Sequence, residues 1–241
     1  MVCRALVLHT ASRHLKRCRE RDMKLRDMTM SASKSAALAK RNQILRGAEK
    51  VFLDLGYEGA SMARIAQYAK VSKGTLYNHF KDKADLFREI ILDISKNKLS
   101  GLFKYDDNNM GSCAGCLRGI CEEFVSAVTH PISLGIYRIV IAEASKFPEI
   151  SEIMQEYAIE PTRACICKAI SYWSDAGAIH VEDIEFAAQI FISLCQSGIV
   201  EKRRFSIPVD FSVNAMECHA ERVSKIFMRI YSYKQTNPWI F

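Results

Sequence analysis

From residue 38 onward, apolar side chains recur at helical spacing. In "RNQILRGAEKVFLDLGY", Ile44, Leu45, Ala48, Val51, Phe52 and Leu55 form one stripe at i, i+3, i+4 and i+7. The pattern predicts a helix that Gly56 stops, with Gly59 in the next turn. "SMARIAQYAK" then opens on Ser61, a good N-cap, and Met62, Ile65, Ala66 and Ala69 make a short second stripe. Val71 sits in a tight connection, Ser72 caps again, and "KGTLYNHF" predicts a third short helix with Leu76 and Phe80 four residues apart on one face. In "KDKADLFREIILDISKNKL" the stripe is longer, with Leu86, Phe87, Ile90, Ile91 and Ile94 inward. Two short helices joined by a few residues across about 61–80 trace a helix-turn-helix. Any small helical domain can trace the same outline, so by itself it proves little.

The helical period continues to the far end. "CAGCLRGICEEFVSAVTH" runs to Pro131, "ISLGIYRIVIAEASKF" to Pro148, and the stretch from Glu149 to Gly177 is helical with a kink expected at Pro161. "VEDIEFAAQIFISLCQSGIV" and "NAMECHAERVSKIFMRIYSY" complete the pattern, and no strand-like alternation lasts beyond a few residues. The fold class is therefore all-α. Residues 1–37 are basic and weakly patterned, 38–98 form a small helical domain, and 99–241 form a larger one. The first segment has three open readings: a disordered basic arm, an extension upstream of the native start, or a targeting peptide.

Composition sharpens this division. The net charge of +7 is unevenly spread, because residues 1–98 hold 21 of the 34 Lys/Arg but 10 of the 27 Asp/Glu. The first 98 residues therefore carry +11 and the remainder −4, which points to a polyanionic partner for the first half only. No apolar run reaches the ~18 residues of a membrane-spanning helix. The chain has nine cysteines, an odd number at irregular spacing, and no secretory signal, so reduced thiols and a cytoplasmic setting are expected, with no membrane partner.

Candidate chemistry concentrates between Ser61 and Lys83. With Leu76 and Phe80 turned to the core, the opposite face of the third helix shows Lys73, Thr75, Tyr77, Asn78 and His79. These side chains can hydrogen-bond base edges or phosphates, and Gly74 lets the backbone approach closely. Ser61 and Arg64 on the preceding helix are placed to reach phosphates. Lys81 and Lys83 stand where the next helix begins, against the positive end of its dipole, which a nearby phosphate would compensate. Elsewhere, Cys113 and Cys116 form a C-x-x-C pair that a redox switch could use. No second pair has the spacing of a structural zinc site, so no metal or cofactor is expected. Tyr137, Tyr157 and Trp173 are candidates for lining an apolar pocket. There is no nucleophile elbow, phosphate loop or H-E-x-x-H, and an enzyme is not expected.

The stretch "ILRGAEKVFLDLGYEGASMARIAQYAKVSKGTLYNHFKDKADLF" resembles the DNA-binding domain of the TetR/AcrR family of bacterial transcriptional regulators. The likeness covers about residues 41–90: Ala48, Phe52, Gly56 and Tyr57, then Ile65 and Ala66, then the string Val71 to Lys83. The resemblance implies that the third helix enters the major groove. Tyr77 and Lys83 would clamp phosphates, with Ser72, Lys73, Gly74, Thr75, Asn78 and His79 near bases or flanking phosphates. Two departures are Ser61, where the family often has Thr, and Lys70, where it often has Gly.

The larger half is similar to the family's regulatory domains through "IYRIVIAEASKFPEISEI". The likeness implies a helical domain that encloses a small-molecule pocket and pairs with a second copy through its last two long helices, here about 182–200 and 214–233. Their apolar stripes are Ile184, Ala187, Ala188, Phe191, Ile192 and Cys195, then Ala215, Val223, Ile226, Phe227 and Ile230. The expected function is a homodimeric repressor that binds a palindromic operator in double-stranded DNA and is released by a small-molecule effector. Two alternatives stand beside it: a thiol-redox regulator using Cys113 and Cys116, and a small-molecule-binding helical protein with no DNA function.

Overall fold

The computed structural model of the chain describes residues 35–98 and 112–231, and every regular element among them is a helix. Most of the basic extension 1–37 thus lies outside the described residues. Helix α1 spans 35–59, α2 Met62–Tyr68, α3 Lys73–His79 and α4 Lys83–Lys98. The expected caps form: Ser61 Oγ accepts the Arg64 N–H at 3.3 Å, and Ser72 Oγ accepts the Thr75 N–H at 3.0 Å. The start of α4 corrects the dipole argument. Asp82 Oδ1 accepts the Asp85 N–H at 2.8 Å and Asp85 Oδ2 accepts the Lys81 N–H at 2.9 Å, a reciprocal cap. Two carboxylates therefore meet the positive helix end, and no phosphate is needed to explain lysines there.

The core of the small domain is built from the residues the pattern placed inward, with Ile44, Phe52, Ile65, Leu76, Leu86 and Phe87 fully buried. That core does not end with α4. After α5 (Cys113–Thr129), helices α6 (Pro131–Glu143) and α7 (Pro148–Met154) contribute Ile136, Ile139, Val140 and Ile150 to the same cluster. Helix α6 crosses α1 closely at Gly135, where a β-carbon would fall 2.3 Å from Leu53 Cδ2. A second core joins α5 to α8 (Glu160–Asp175), α9 (Ile184–Gln196), α10 (Ile199–Arg204) and α11 (Val213–Tyr231).

Pro161 does not end its helix. A π-helical turn, Gln155–Ile159, links α7 to α8. Proline removes one N–H and crowds the carbonyl four residues back, which here is Tyr157. That carbonyl instead accepts the Ser95 hydroxyl of α4 at 2.7 Å.

Two expectations for the C-terminal helices are corrected. The stripe over 182–200 reads as continuous, yet Gly198 (φ 73) breaks it into α9 and α10. Of the side chains expected to face a second copy, Ala187, Ala188, Phe191, Cys195, Val223 and Phe227 are buried inside this chain, where Phe191 meets Phe227 edge-on at 5.3 Å. These large side chains are fully used by the chain's own core. The large apolar groups left outward are Phe186 on α9 and Val213, Ile226 and Ile230 on α11.

Candidate nucleic-acid interface and internal cavity

The turn between α2 and α3 is closed by two backbone hydrogen bonds. The Val71 N–H reaches the Ala66 carbonyl at 3.0 Å and the Lys70 N–H reaches Gln67 at 3.1 Å, with Lys70 left-handed at φ 53. This is a Schellman closure, whose left-handed position favours glycine, and it explains why lysine there is a departure from the common pattern. Gln43 Nε2 from α1 donates to the Ala69 carbonyl at 2.7 Å and fixes the turn from behind. Helix α3 is anchored by Leu76 and Phe80, both buried.

Because α3 is pinned on that side, its other flank faces out. Ser72, Lys73, Gly74, Tyr77 and Asn78 are exposed, and Ser61 and Arg64 are exposed beside them. Tyr77 is 54% exposed, an uneconomical place for a large aromatic ring unless something else covers it. Thr75 is half-buried, with Oγ1 at 2.8 Å from Ser72 Oγ, and His79 is half-buried against Phe80. The Arg64 guanidinium reaches back to the Gly59 carbonyl at 3.1 Å.

Lys83 stands apart from this group. Its ammonium donates to the Tyr57 carbonyl at 2.7 Å and lies 4.1 Å from the centre of the Tyr57 ring. Phe147, from the segment between α6 and α7, covers it from the other side at 5.2 Å. Burial lowers its pKa, partly offset by Glu143, Glu149 and Glu58. In this structure the ammonium thus sits in the seam between the two halves of the chain.

The seam itself is dense. Tyr57 stacks on Phe52 and meets Phe87 and Phe147 edge-on, and its hydroxyl donates to Glu149 at 3.2 Å. Burial and Glu149 together raise its pKa far above the ordinary phenol range. Glu143, at the end of α6, accepts the Tyr57 N–H at 2.9 Å and the Glu58 N–H at 2.6 Å, and Lys146 pairs with Glu58.

Behind this seam lies a cavity of about 330 Å³. Its walls are mostly apolar, with Ile91 from α4, Phe124 from α5, Val140 from α6 and Met154 from α7 among them. Ser133, Tyr137, Gln196 and Arg204 add polar groups. Tyr137 lines the cavity as its sequence context suggested, but Tyr157 and Trp173 are not in this wall. Tyr157 packs on the small-domain core, and Trp173 meets Tyr172 edge-on at 5.1 Å in the second core. Sequence pattern alone does not reveal Arg204. The run "EKRR" at 201–204, in a half that is otherwise mildly acidic, was the available signal.

The C-x-x-C pair is packed into the core. Cys113 and Cys116 are buried, Cys113 packs its sulfur 3.5 Å from Met228 Sδ, and burial pushes the Cys113 thiol up to about 11 and Cys116 upward as well. Such thiols hold little thiolate at neutral pH. Among the described residues no group of three His, Cys, Asp or Glu side chains is placed to hold a metal ion, and no single helix is long and apolar enough to cross a membrane.

Comparison with known proteins agrees with this geometry. Residues 44–90 match the family model described as bacterial regulatory proteins, tetR family, and residues 115–233 match the AefR-like transcriptional repressor C-terminal domain. The chain belongs to the TetR/AcrR family of bacterial transcriptional regulators. Among curated relatives, the repressor BepR of Brucella suis is 44% identical over 62 residues, 26% of this chain and 30% of that protein. The activator FasR of Mycolicibacterium smegmatis is 41% identical over 95 residues, 38% of this chain and 41% of that protein. The chain spans less than half the length of these relatives. A TetR-family regulator from Mesorhizobium loti shares the fold with a TM-score of 0.70 at 24% identity, over 82% of this chain and 98% of that one. The regulator FrrA, described as flavonoid-responsive, does so equally at 0.70 and 24%, over 81% and 98%.

Proposed function

We propose that the chain is a dimeric, ligand-responsive regulator whose α3 reads an operator in double-stranded DNA. The observation that carries this is the outward flank of α3, where Lys73, Gly74, Tyr77 and Asn78 stand exposed on a helix fixed by a Schellman turn and two buried anchors. Lys73 and Tyr77 hold phosphates, Gly74, Asn78 and Thr75 approach base edges, and Ser61 and Arg64 steady the flanking backbone. His79 and Ser72 support the helix more than they read. The outward Phe186, Ile226 and Ile230 of α9 and α11 form the subunit contact, and a two-fold dimer sets two copies of α3 about 34 Å apart on a palindrome. The cavity behind the seam takes the effector, and repression with release on binding is the favoured sense of control.

Gel-shift titration over a salt series tests the assignment. Lys73→Ala should weaken binding to every sequence and lower the salt slope by about one, and Asn78→Ala should relax sequence preference. If both variants bind the operator as the parent does at all salt concentrations, α3 is not the reading helix.

A further inference from the structure

We infer that the effector is an amphipathic acid: an apolar body ending in a carboxylate, with Arg204 as the group that selects for the charge. The inference rests on the reading of the cavity as the effector site. Its first support is the asymmetry of the walls. Ser133, Tyr137, Val140 and Ile141 all line the cavity from α6, and eight residues of helix span about 12 Å. Polar groups gather around Tyr137, with the Arg204 guanidinium 4.2 Å from the centre of its ring and Nη1 donating to Gln196 Oε1 at 2.9 Å, and Ser133 one turn before it on α6. The rest of the wall is mostly apolar, with Ile91, Met154 and Ile159 among it and Thr162 as a further polar group. A ligand that fills the space meets one polar cluster and an otherwise mostly apolar wall.

The second support is charge. Arg204 is the arginine of the cavity wall, and among the described residues neither it nor its neighbours Arg138 and Arg203 pair with a carboxylate. Arg138 is used as a cap, donating to the carbonyls of Arg203 and Arg204 at 3.0 and 3.1 Å and to Ser206 Oγ at 2.9 Å. This holds α10 in place and keeps Arg204 aimed at the cavity. The third support is independent of charge: Ser133 Oγ is buried with no hydrogen-bond partner. An unpaired buried hydroxyl is a donor or acceptor waiting for a ligand atom. A carboxylate answers both demands, taking two charge-assisted bonds from a guanidinium and one from a hydroxyl. A cationic head would be repelled by Arg204, and a neutral one would leave its guanidinium uncompensated beside apolar walls.

The test is calorimetric titration at fixed salt with two matched pairs, decanoate against 1-decanol and 4-butylbenzoate against 4-butylbenzyl alcohol. The acid of at least one pair should bind about tenfold or more tightly than its alcohol. Arg204→Met should erase that preference while leaving alcohol binding in place, Arg204→Lys should keep part of it, and Ala158→Trp, which fills the cavity, should abolish binding of both. If alcohols bind as well as acids in the parent protein, or the Met variant keeps the preference, the acid inference falls while the cavity remains a ligand site. If no probe binds, or Ala158→Trp binds both members as the parent does, the effector-cavity reading falls with it.

Discussion

Gly56 and Glu143 provide a direct test of how the two halves are joined. Gly56 lies at φ 72, and a methyl group there would fall 2.3 Å from Glu143 Oε1. Gly56→Ala therefore meets two separate costs. The left-handed backbone disfavours alanine by about 1 kcal/mol. The carboxylate must also withdraw from the Tyr57 and Glu58 N–H groups, each a charge-assisted bond of about 1.5–3 kcal/mol. Because the Glu58 end is open to solvent, that bond falls to about 0.5–1 kcal/mol, which with about 1.5–2 for the Tyr57 bond gives about 2–3 kcal/mol for the pair. The substitution should then destabilise by about 3–4 kcal/mol, and Glu143→Ala alone by about 2–3. The double variant should be no worse than Gly56→Ala, since the same two bonds cannot be lost twice. A double-mutant cycle by urea unfolding, with all variants at one protein concentration, should show a coupling of about 2–3 kcal/mol. If the two costs add within about 0.5 kcal/mol, Glu143 is not what the glycine makes room for, and the α1–α6 joint must be held by other contacts.

The seam and the thiols give two more tests. Lys83→Met should lower stability by about 1 kcal/mol, through the lost Tyr57 carbonyl and ring contacts, while leaving the salt slope of DNA binding unchanged. A slope reduced by one would return Lys83 to the phosphate backbone. In the native protein at neutral pH, iodoacetamide should label the exposed Cys218 while the buried Cys113 and Cys116 react only after unfolding, which mass spectrometry of labelled peptides reads directly.

What the sequence shows and what it hides separate along physical lines. Helix periodicity is a local property, so Ile44 to Leu55, Ile65 to Ala69, and Leu76 with Phe80 disclose their buried faces without help. The Ser61 and Ser72 caps act over three residues and are equally legible. The contacts of Lys83 are hidden because they are remote: the Tyr57 carbonyl lies 26 residues upstream and Phe147 closes over it from beyond α6. Dipole reasoning alone cannot see either, and it also overlooks the nearby acids Asp82 and Asp85 that cap α4. The stripes of the last two long helices are only half legible, for a different reason. Phe191 and Phe227 have the same spacing whether they pack on a second copy or on each other, and only the three-dimensional arrangement decides. The cavity draws its walls from α4 through α10, so no single stretch of sequence could have named Arg204 beside Tyr137.

The shared core also limits how this protein can be taken apart. Ile136, Ile139, Val140 and Ile150 lie in the same cluster as Phe52 and Phe87, so a cut after residue 98 runs through a packed interior rather than along a linker. A reading head moved into another family member would leave part of its own core behind. The unit that transplants is discontinuous, helices α1–α4 together with α6 and α7, and chimeras with exchanged specificity must carry matching residues from both segments if their folded state is to survive the exchange.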